Sequence, residues 1–578
     1  MLASFFLASE PTDRTFPGNR ETFYQYDAKG RLIAQQDGNG NITAREYDGL
    51  DRVTAVIDAE GYATENLYDA VDNLIRVTDA NGNAQYFAYD EMDRRIESMD
   101  ALGNTTTFIY SPTGKLLEKH QPNGTAIAYI YNRRDRVIKE STGDTTFKSY
   151  AYDNVGRKTL IANESTREQR YYDARGMLVT AIDKFMGRVD YQYDLLGNRT
   201  QMIDPDNGVF SYSYDKAGRL TDFTDPEGEK TSYEYDSMGR AVRVSYPNST
   251  VTETQYNQDN RIASIVSASD RDILSSFVYT YDAVGNKLSM ADEDGKLTTY
   301  QYDKHYRLIE VDYPQIESAG RANNGKNKGS DKGKGKKNGH HKGKGKEPET
   351  SVPDFAQYTY DPVGNRLSMT DDQETIYYHY NEANQLIREG NTAYSYDANG
   401  NRIAKIDEDG EARYRYNANN FLVQFTAPDG ETTGYGYDGF NRRAFKNKGK
   451  NIIESYLYDG TDVIQEVSGP QSQKVTAYYR ANGRIIAQQQ YNISPSNPGE
   501  YSHRPEGRKL YYAYDALGSV ASLSNHKGKQ KTRYVYDVFG EVLAGDLDKN
   551  PYTFTGKRFD SESELYHFHF RQYDAMVG

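Results

Sequence analysis

Polar and apolar positions alternate along most of the chain in short runs, and turn signals interrupt these runs at a fixed interval. In the first clear example Tyr24 and Tyr26 flank Gln25, a turn follows, and Arg31-Leu32-Ile33-Ala34 resumes a β-compatible run. The cluster Asp37-Gly38-Asn39-Gly40-Asn41 then turns the chain into the next run, Ile42 to Tyr47. A period of two within each run, with Gly, Asp and Asn between runs, predicts two strands and two turns per unit.

The tyrosine that closes each unit recurs at Tyr26, Tyr47, Tyr68, Tyr89, Tyr110, Tyr131 and Tyr152, six steps of 21 residues, and the series continues to Tyr573 for 23 registers in all. The next residue is Asp in eighteen registers, Asn in four and Ser in one. Asp27, Asp215 and Asp515 are examples, and all three residue types accept a hydrogen bond from the backbone two residues on. The fourth residue after the tyrosine is Gly, Asp or Asn everywhere except Tyr306 and Val577. These types tolerate positive φ, so Gly30, Gly218, Gly518 and their equivalents are expected to be the left-handed residues that close a short hairpin loop. A basic residue often follows (Arg31, Arg52, Arg94, Arg219). It has two readings of equal weight, a cation lying over a neighbouring tyrosine ring or a solvated edge charge.

A two-stranded unit of this size is marginal alone, so the array stands or falls together. More than forty strands at about 4.8 Å spacing make a ribbon of roughly 200 Å with one exposed aromatic face. Twist and the cost of exposed edges favour winding it up. The fold class is therefore all-β, a tandem β-hairpin solenoid in a curled sheet.

Composition agrees with a thin aromatic core. Hydrophobic residues make up 36%, mean hydropathy is −0.89, and there are 53 Tyr but no Trp. With no cysteine, disulfides, thiolate chemistry and cysteine zinc sites are excluded. The net charge of −14 conceals a local +8 over residues 321–347, so the rest of the chain is more acidic still, which argues against nucleic acid as a partner. That basic segment, within a linker at 319–352, reads as a solvated surface loop, with an electrostatic tether to a polyanion as the sharper alternative. Residues 1–20 form a leader whose apolar stretch, Leu2 to Ala8, is too short for a transmembrane span and lacks the basic flank of a signal peptide.

The repeats occupy 21–318 and 353–467. Residues 468–510, with Pro470, Pro495, Pro498 and Pro505, read as a hairpin extension with a polar loop at 492–505. His340-His341 and His567-Phe-His569 are the close histidine groupings. The second pair is expected on one face of a strand, but no carboxylate stands at a matching spacing, so an ordinary strand face is the better reading and neither a metal nor a cofactor is expected. No phosphate-binding glycine loop precedes a helix, and no serine sits in a nucleophile elbow.

The registers YQYDAKGRLIAQQDGNGN and YSYDKAGRLTDFTDPEGE resemble the YD repeats of bacterial Rhs proteins, TcC-type toxin subunits and teneurins. Residues 511–578, including Tyr512-Ala-Tyr-Asp-Ala-Leu-Gly-Ser-Val and Asn550-Pro-Tyr-Thr-Phe-Thr-Gly-Lys-Arg-Phe-Asp, resemble the Rhs-associated core. The resemblance implies a sheet spiralled into a hollow shell with the core closing one end and, in complete relatives, a toxin domain held inside after release by an aspartic autoprotease. That protease needs two aspartates in DPxxG-like elements and a nearby arginine. Arg571 and Asp574 match the first element with Ala575 in place of proline, and the second is missing, as if the core were truncated. One carboxylate cannot share a proton with a partner, so a non-enzymatic shell is expected, with Arg571 and Asp574 as a remnant. The partners implied are an encapsulated toxin domain or cell-surface glycans, the latter if the chain is instead an adhesion or carbohydrate-binding module. The shell is expected to be monomeric, and its relatives are secreted or displayed on the cell surface.

Overall fold

A computed structural model describes residues 14–16, 20–143, 145–183, 187–314, 353–469, 474–492 and 509–578. The linker at 319–352, most of the leader and the polar loop after Asn492 lie outside these residues.

The local unit follows from the turn chemistry. Strands Arg20–Tyr26 and Leu32–Gln36 pair antiparallel, joined by a turn in which the Gly30 amide donates to the Asp27 carbonyl at 2.9 Å. The Asp27 carboxylate accepts the amides of Lys29 at 2.9 Å and Arg31 at 3.0 Å. With the Arg31 guanidinium, the Arg31 amide holds this carboxyl below its usual range. Gly30 stands at φ +81°, Gly218 at +77° and Gly518 at +90°, and the same place is left-handed at Asp51 (66°) and Asn260 (66°). The result is a type I turn closed by a left-handed bulge residue.

Two registers break the expectation in opposite directions. Tyr306 adopts φ 65° although its side chain disfavours it, and its hydroxyl bonds Asp37 and Asn41 of a distant turn. After Tyr458 the hairpin tightens to a two-residue loop pairing Asp459 with Asp462, so Gly460 (φ 63°) takes the left-handed role instead of Asp462.

Neighbouring units are locked by side chains. Arg31, held by Asp27, lies 4.7 Å from the centroid of the Tyr47 ring, and the Tyr47 hydroxyl donates back to the Leu32 carbonyl at 2.8 Å. The same stacking joins Arg52 to Tyr68 (4.8 Å), Arg94 to Tyr110 (5.0 Å) and Arg219 to Tyr235 (4.8 Å). Of the two readings of this cation, the ring-stacked one is the structure's, and each contact contributes about 0.5–1 kcal/mol. The hydroxyl explains why the position is Tyr and not Phe: Tyr193, Tyr214, Tyr235 and Tyr437 repeat the bond to a strand carbonyl of the preceding unit.

Among the described residues 46 strands form one sheet, each paired antiparallel with its neighbours in the chain. The expected hairpin at 468–510 runs within this sheet as Lys474–Ala481 and Arg484–Asn492, turning at Asn482 and Gly483.

The sheet winds so that turns between units in the first circuit meet turns of the second. Asn39 donates to Asp282 and Asn81 to Asp361, each at 2.8 Å, and Gln121 donates to the Ala418 carbonyl at 2.7 Å. Arg199 pairs with Asp459 at 2.5 Å. Counting strands between Asn39 and Asp282 gives about 23 per circuit, hence a circumference near 110 Å and a diameter near 35 Å between strand axes.

Side chains two residues before the register tyrosines, most of them Tyr or Phe, point to the inside. In the first units Tyr24, Phe87, Phe108 and Tyr129, at this position, are half-buried, whereas Tyr191, Tyr212 and Tyr233 later in the first circuit are 5–8% exposed and Tyr358, Tyr378, Tyr414 and Tyr435 in the second only 2–4%. The difference is a filling: the carboxy-terminal residues lie against the second-circuit wall. Phe539 meets Tyr358 edge-on at 5.3 Å, Leu565 packs with Tyr414 and Tyr435, and Tyr552 meets Tyr478 at 4.8 Å. Strand Lys474–Ala481 is buried on both faces, with Tyr479 against Phe210 of the first circuit at 5.7 Å.

Candidate functional site

The carboxy-terminal seal is built on a second recurrent position, six residues after each register tyrosine. The sequence usually places Leu, Val or Ile there, but Arg199, Arg366, Arg402 and Arg443 are basic. Each points inward between tyrosines of adjoining units. Arg402 lies 5.5 and 4.8 Å from the rings of Tyr394 and Tyr414, and Arg366 lies 5.7 and 4.5 Å from those of Tyr358 and Tyr378.

The seal answers each of these three later cations with an oxygen. Arg443, 1% exposed, pairs with Asp560, which also receives Arg558 and, at 2.7 Å, Lys446. Burial alone would push the Asp560 carboxyl up, but Arg443, Lys446 and Arg558 together hold it well below the carboxylate range. Arg558 continues to Glu454 (2.7 Å) and Glu466 (3.1 Å), so strands Arg558–Asp560, Asn451–Asp459 and Asp462–Ser468 share one buried charge network. Burial raises Glu466 despite Arg558. Charges buried this way gain little net stability, yet removing one partner is costly, so the network fixes where the seal sits.

Asp574, the expected remnant, is joined to Arg402 at 2.8 Å, with both side chains about 15% exposed or less. Its other carboxylate oxygen accepts the Met576 amide at 3.2 Å. Arg366 donates to the Val577 carbonyl. Arg571 begins the last strand, Arg571–Tyr573, with an exposed side chain, and the cation that Asp574 pairs with is Arg402. The nearby carboxyl, Glu389, accepts the Tyr394 hydroxyl at 2.7 Å, and burial, with Asp574 adding to it, raises its pKa. An arginine ion pair is the opposite of the proton-sharing carboxylate pair that aspartic chemistry uses.

The expected histidine face is corrected. The strand spans Leu565–Phe568, and His569 lies beyond it at φ 56°, where the backbone reverses toward Arg571. His569 meets Lys557 at 3.2 Å, while burial and Arg443 push His567 well below the ordinary histidine range. Among the described residues no group of three His, Cys, Asp or Glu is placed to hold a metal ion. Asp27, Asp215 and Asp515 are turn-capping carboxylates; Asp215 accepts the Arg219 amide at 2.9 Å and Asp515 the Ser519 amide at 2.8 Å. The inward arginines escaped sequence reasoning, although their departure from the aliphatic consensus at that position was the available signal.

An antiparallel sheet wound into stacked circuits and sealed by its own carboxy-terminal residues is a YD-repeat shell. The chain belongs to the teneurin YD-shell family, whose model matches residues 113–323 and 346–578, and the RHS repeat model matches residues 26–63 and 68–105. Among solved structures, that of TcdB2-TccC3-Cdc42 aligns over 97% of this chain and 32% of its own, with TM-score 0.75 and 15% identity. The Photorhabdus luminescens Tc holotoxin pore aligns over 97% and 34%, with TM-score 0.65 and 15% identity. Among curated proteins, the tRNA3(Ser)-specific nuclease WapA of Bacillus spizizenii is 24% identical over 38% of this chain, and the tRNA nuclease WapA of Bacillus subtilis is 25% identical over 38%. The chain spans about a third of those solved chains and 9% of those nucleases. No helix among the described residues is long and apolar enough to cross a membrane.

Proposed function

We propose that this chain is a container wall: a non-enzymatic shell that encloses a polypeptide, such as a toxin domain, for delivery to another cell. The observation that carries this reading is the inward seal, in which residues 534–578 occupy the second circuit while the inward rings of the first units, from Tyr24 to Tyr150, stay half-buried. The likeness to Tc toxin components in fold, and to proteins named as nucleases over a small part of their length, supports a shell whose activity resides in what it carries. The seam contacts run within one chain, which favours a monomeric particle. Electron micrographs of the purified chain test the reading: it expects a particle with a lumen closed at one end, and an extended rod without a lumen overturns it.

A further inference from the structure

The protein is acidic overall, yet the inner wall of its first circuit is not. Residues that share the inward face with Phe87, Phe108, Tyr129 and Tyr150 include Arg45, Lys119 and, six residues after their tyrosines, Arg95 and Lys158. Arg95 lies 5.7 and 5.3 Å from the rings of Phe87 and Phe108, and the Lys158 ammonium is 4.6 Å from the Tyr150 ring. These repeat the geometry of Arg366, Arg402 and Arg443 between their own rings.

The difference is in what answers them. Arg402 and Arg443 each receive a carboxylate from the seal, Arg366 receives the Val577 carbonyl, and Arg199 receives Asp459. Arg45, Arg95, Lys119 and Lys158 form no ion pair with a described residue, and one buried nitrogen of the Arg45 guanidinium has no hydrogen-bond partner. The acids on this face are already engaged: Glu140 accepts the Tyr150 hydroxyl at 2.6 Å, and Glu168 is held by Arg170 and Arg442, each at 2.6 Å. In the four cases of Arg199, Arg366, Arg402 and Arg443 the covering chain brings an oxygen, twice in the second circuit a carboxylate, whereas Lys287, 5.2 and 5.4 Å from the Tyr279 and Tyr300 rings, forms no ion pair with a described residue.

We propose that Arg45, Arg95, Lys119 and Lys158 form a carboxylate-binding face for an acidic segment of the enclosed polypeptide, an inference that rests on the container reading above. The aromatic flank orders such a site, because a cation held over ring faces keeps a defined position from which it can meet a carboxylate.

Arg366 of the inner wall holds the Val577 carbonyl, so a segment fused after Gly578 starts beside that wall. The test fuses matched unstructured segments there, one Glu-rich, one neutral Gly/Ser and one Lys-rich, and follows their digestion by an added protease. The Glu-rich segment is expected to be digested on the order of tenfold more slowly than the neutral one, and the Lys-rich segment fastest. In the variant combining Arg45→Gln, Arg95→Gln, Lys119→Gln and Lys158→Gln that advantage disappears, whereas Arg76→Gln with Lys139→Gln on the outer face keeps it. Thermal melting of each variant verifies folding. Equal protection of acidic and neutral segments, or an advantage that survives the fourfold variant, overturns the carboxylate face while leaving enclosure intact. If no segment is protected, enclosure itself falls.

Discussion

The Tyr360 hydroxyl donates to the Leu308 carbonyl at 2.7 Å across 52 residues of sequence, the same bond that elsewhere joins a tyrosine to a carbonyl fifteen residues back. Strands Leu308–Asp312 and Phe355–Tyr360 also pair directly, so the sheet continues past the lysine-rich segment in register. Replacing residues 315–352 with a short Gly/Asn turn is therefore expected to keep the fold and to stabilise it by about 2 kcal/mol through the smaller loop-closure cost. Denaturant unfolding of the two forms checks this, and a loss of stability contradicts it.

The inter-unit tyrosine bond predicts a local effect. Tyr437 is 7% exposed and donates to the Leu422 carbonyl at 2.8 Å. Tyr437→Phe keeps the ring and is expected to cost about 1–2 kcal/mol. Because units in such an array open semi-independently, hydrogen exchange should show faster opening around residues 422–443 and little change in the first units.

Asp537 gives a pH prediction. Burial pushes its carboxyl from 3.8 up to about 6, although the amides of Glu541, Gly540 and Phe539 oppose this. In the window between these values the folded chain holds a proton that the unfolded chain has lost, so this group makes stability rise as pH falls through it. Asp537→Asn keeps the amide-accepting oxygen without the charge. It is expected to stabilise by about 1–3 kcal/mol near pH 7 and to match the parent near pH 4. Unfolding midpoints at both pH values test it; an equal effect at both rules out the charge as the cause.

The Arg402 and Asp574 pair separates a structural role from self-processing. Asp574→Ala leaves Arg402 buried without its carboxylate and is expected to cost about 3 kcal/mol. The parent protein should meanwhile remain a single band on prolonged storage. Fragments that form in the parent and vanish in Asp574→Asn contradict the structural assignment.

The sequence carried the fold almost whole, because the shell is made of local chemistry. The Asp after each tyrosine is legible since its carboxylate caps its own turn, and Gly30 is legible since only a few residues accept φ +81°. What stayed hidden is whatever depends on residues a full circuit apart. Asn39 reads as one more turn asparagine until Asp282, 243 residues on, is placed beside it. Tyr306 reads as a broken register, and Asp37 is the reason it is tolerated. Arg571 and Asp574 read as parts of one motif element, but the cation that Asp574 meets, Arg402, stands on the opposing wall and is invisible from the local sequence.

Because the wall touches itself one circuit later, the number of units is a geometric quantity as well as a genetic one. Losing one 21-residue unit from the first circuit shifts every later turn against its counterpart. Interchangeable pairs such as Asn39 with Asp282 or Asn81 with Asp361 slide to an equivalent neighbour. Singular pairs, Tyr306 on Asp37 and Lys509 on Asp225 and Glu229, have no equivalent one step along. The look-alike units act as a screw thread, and these few unlike residues are the stops that set its pitch.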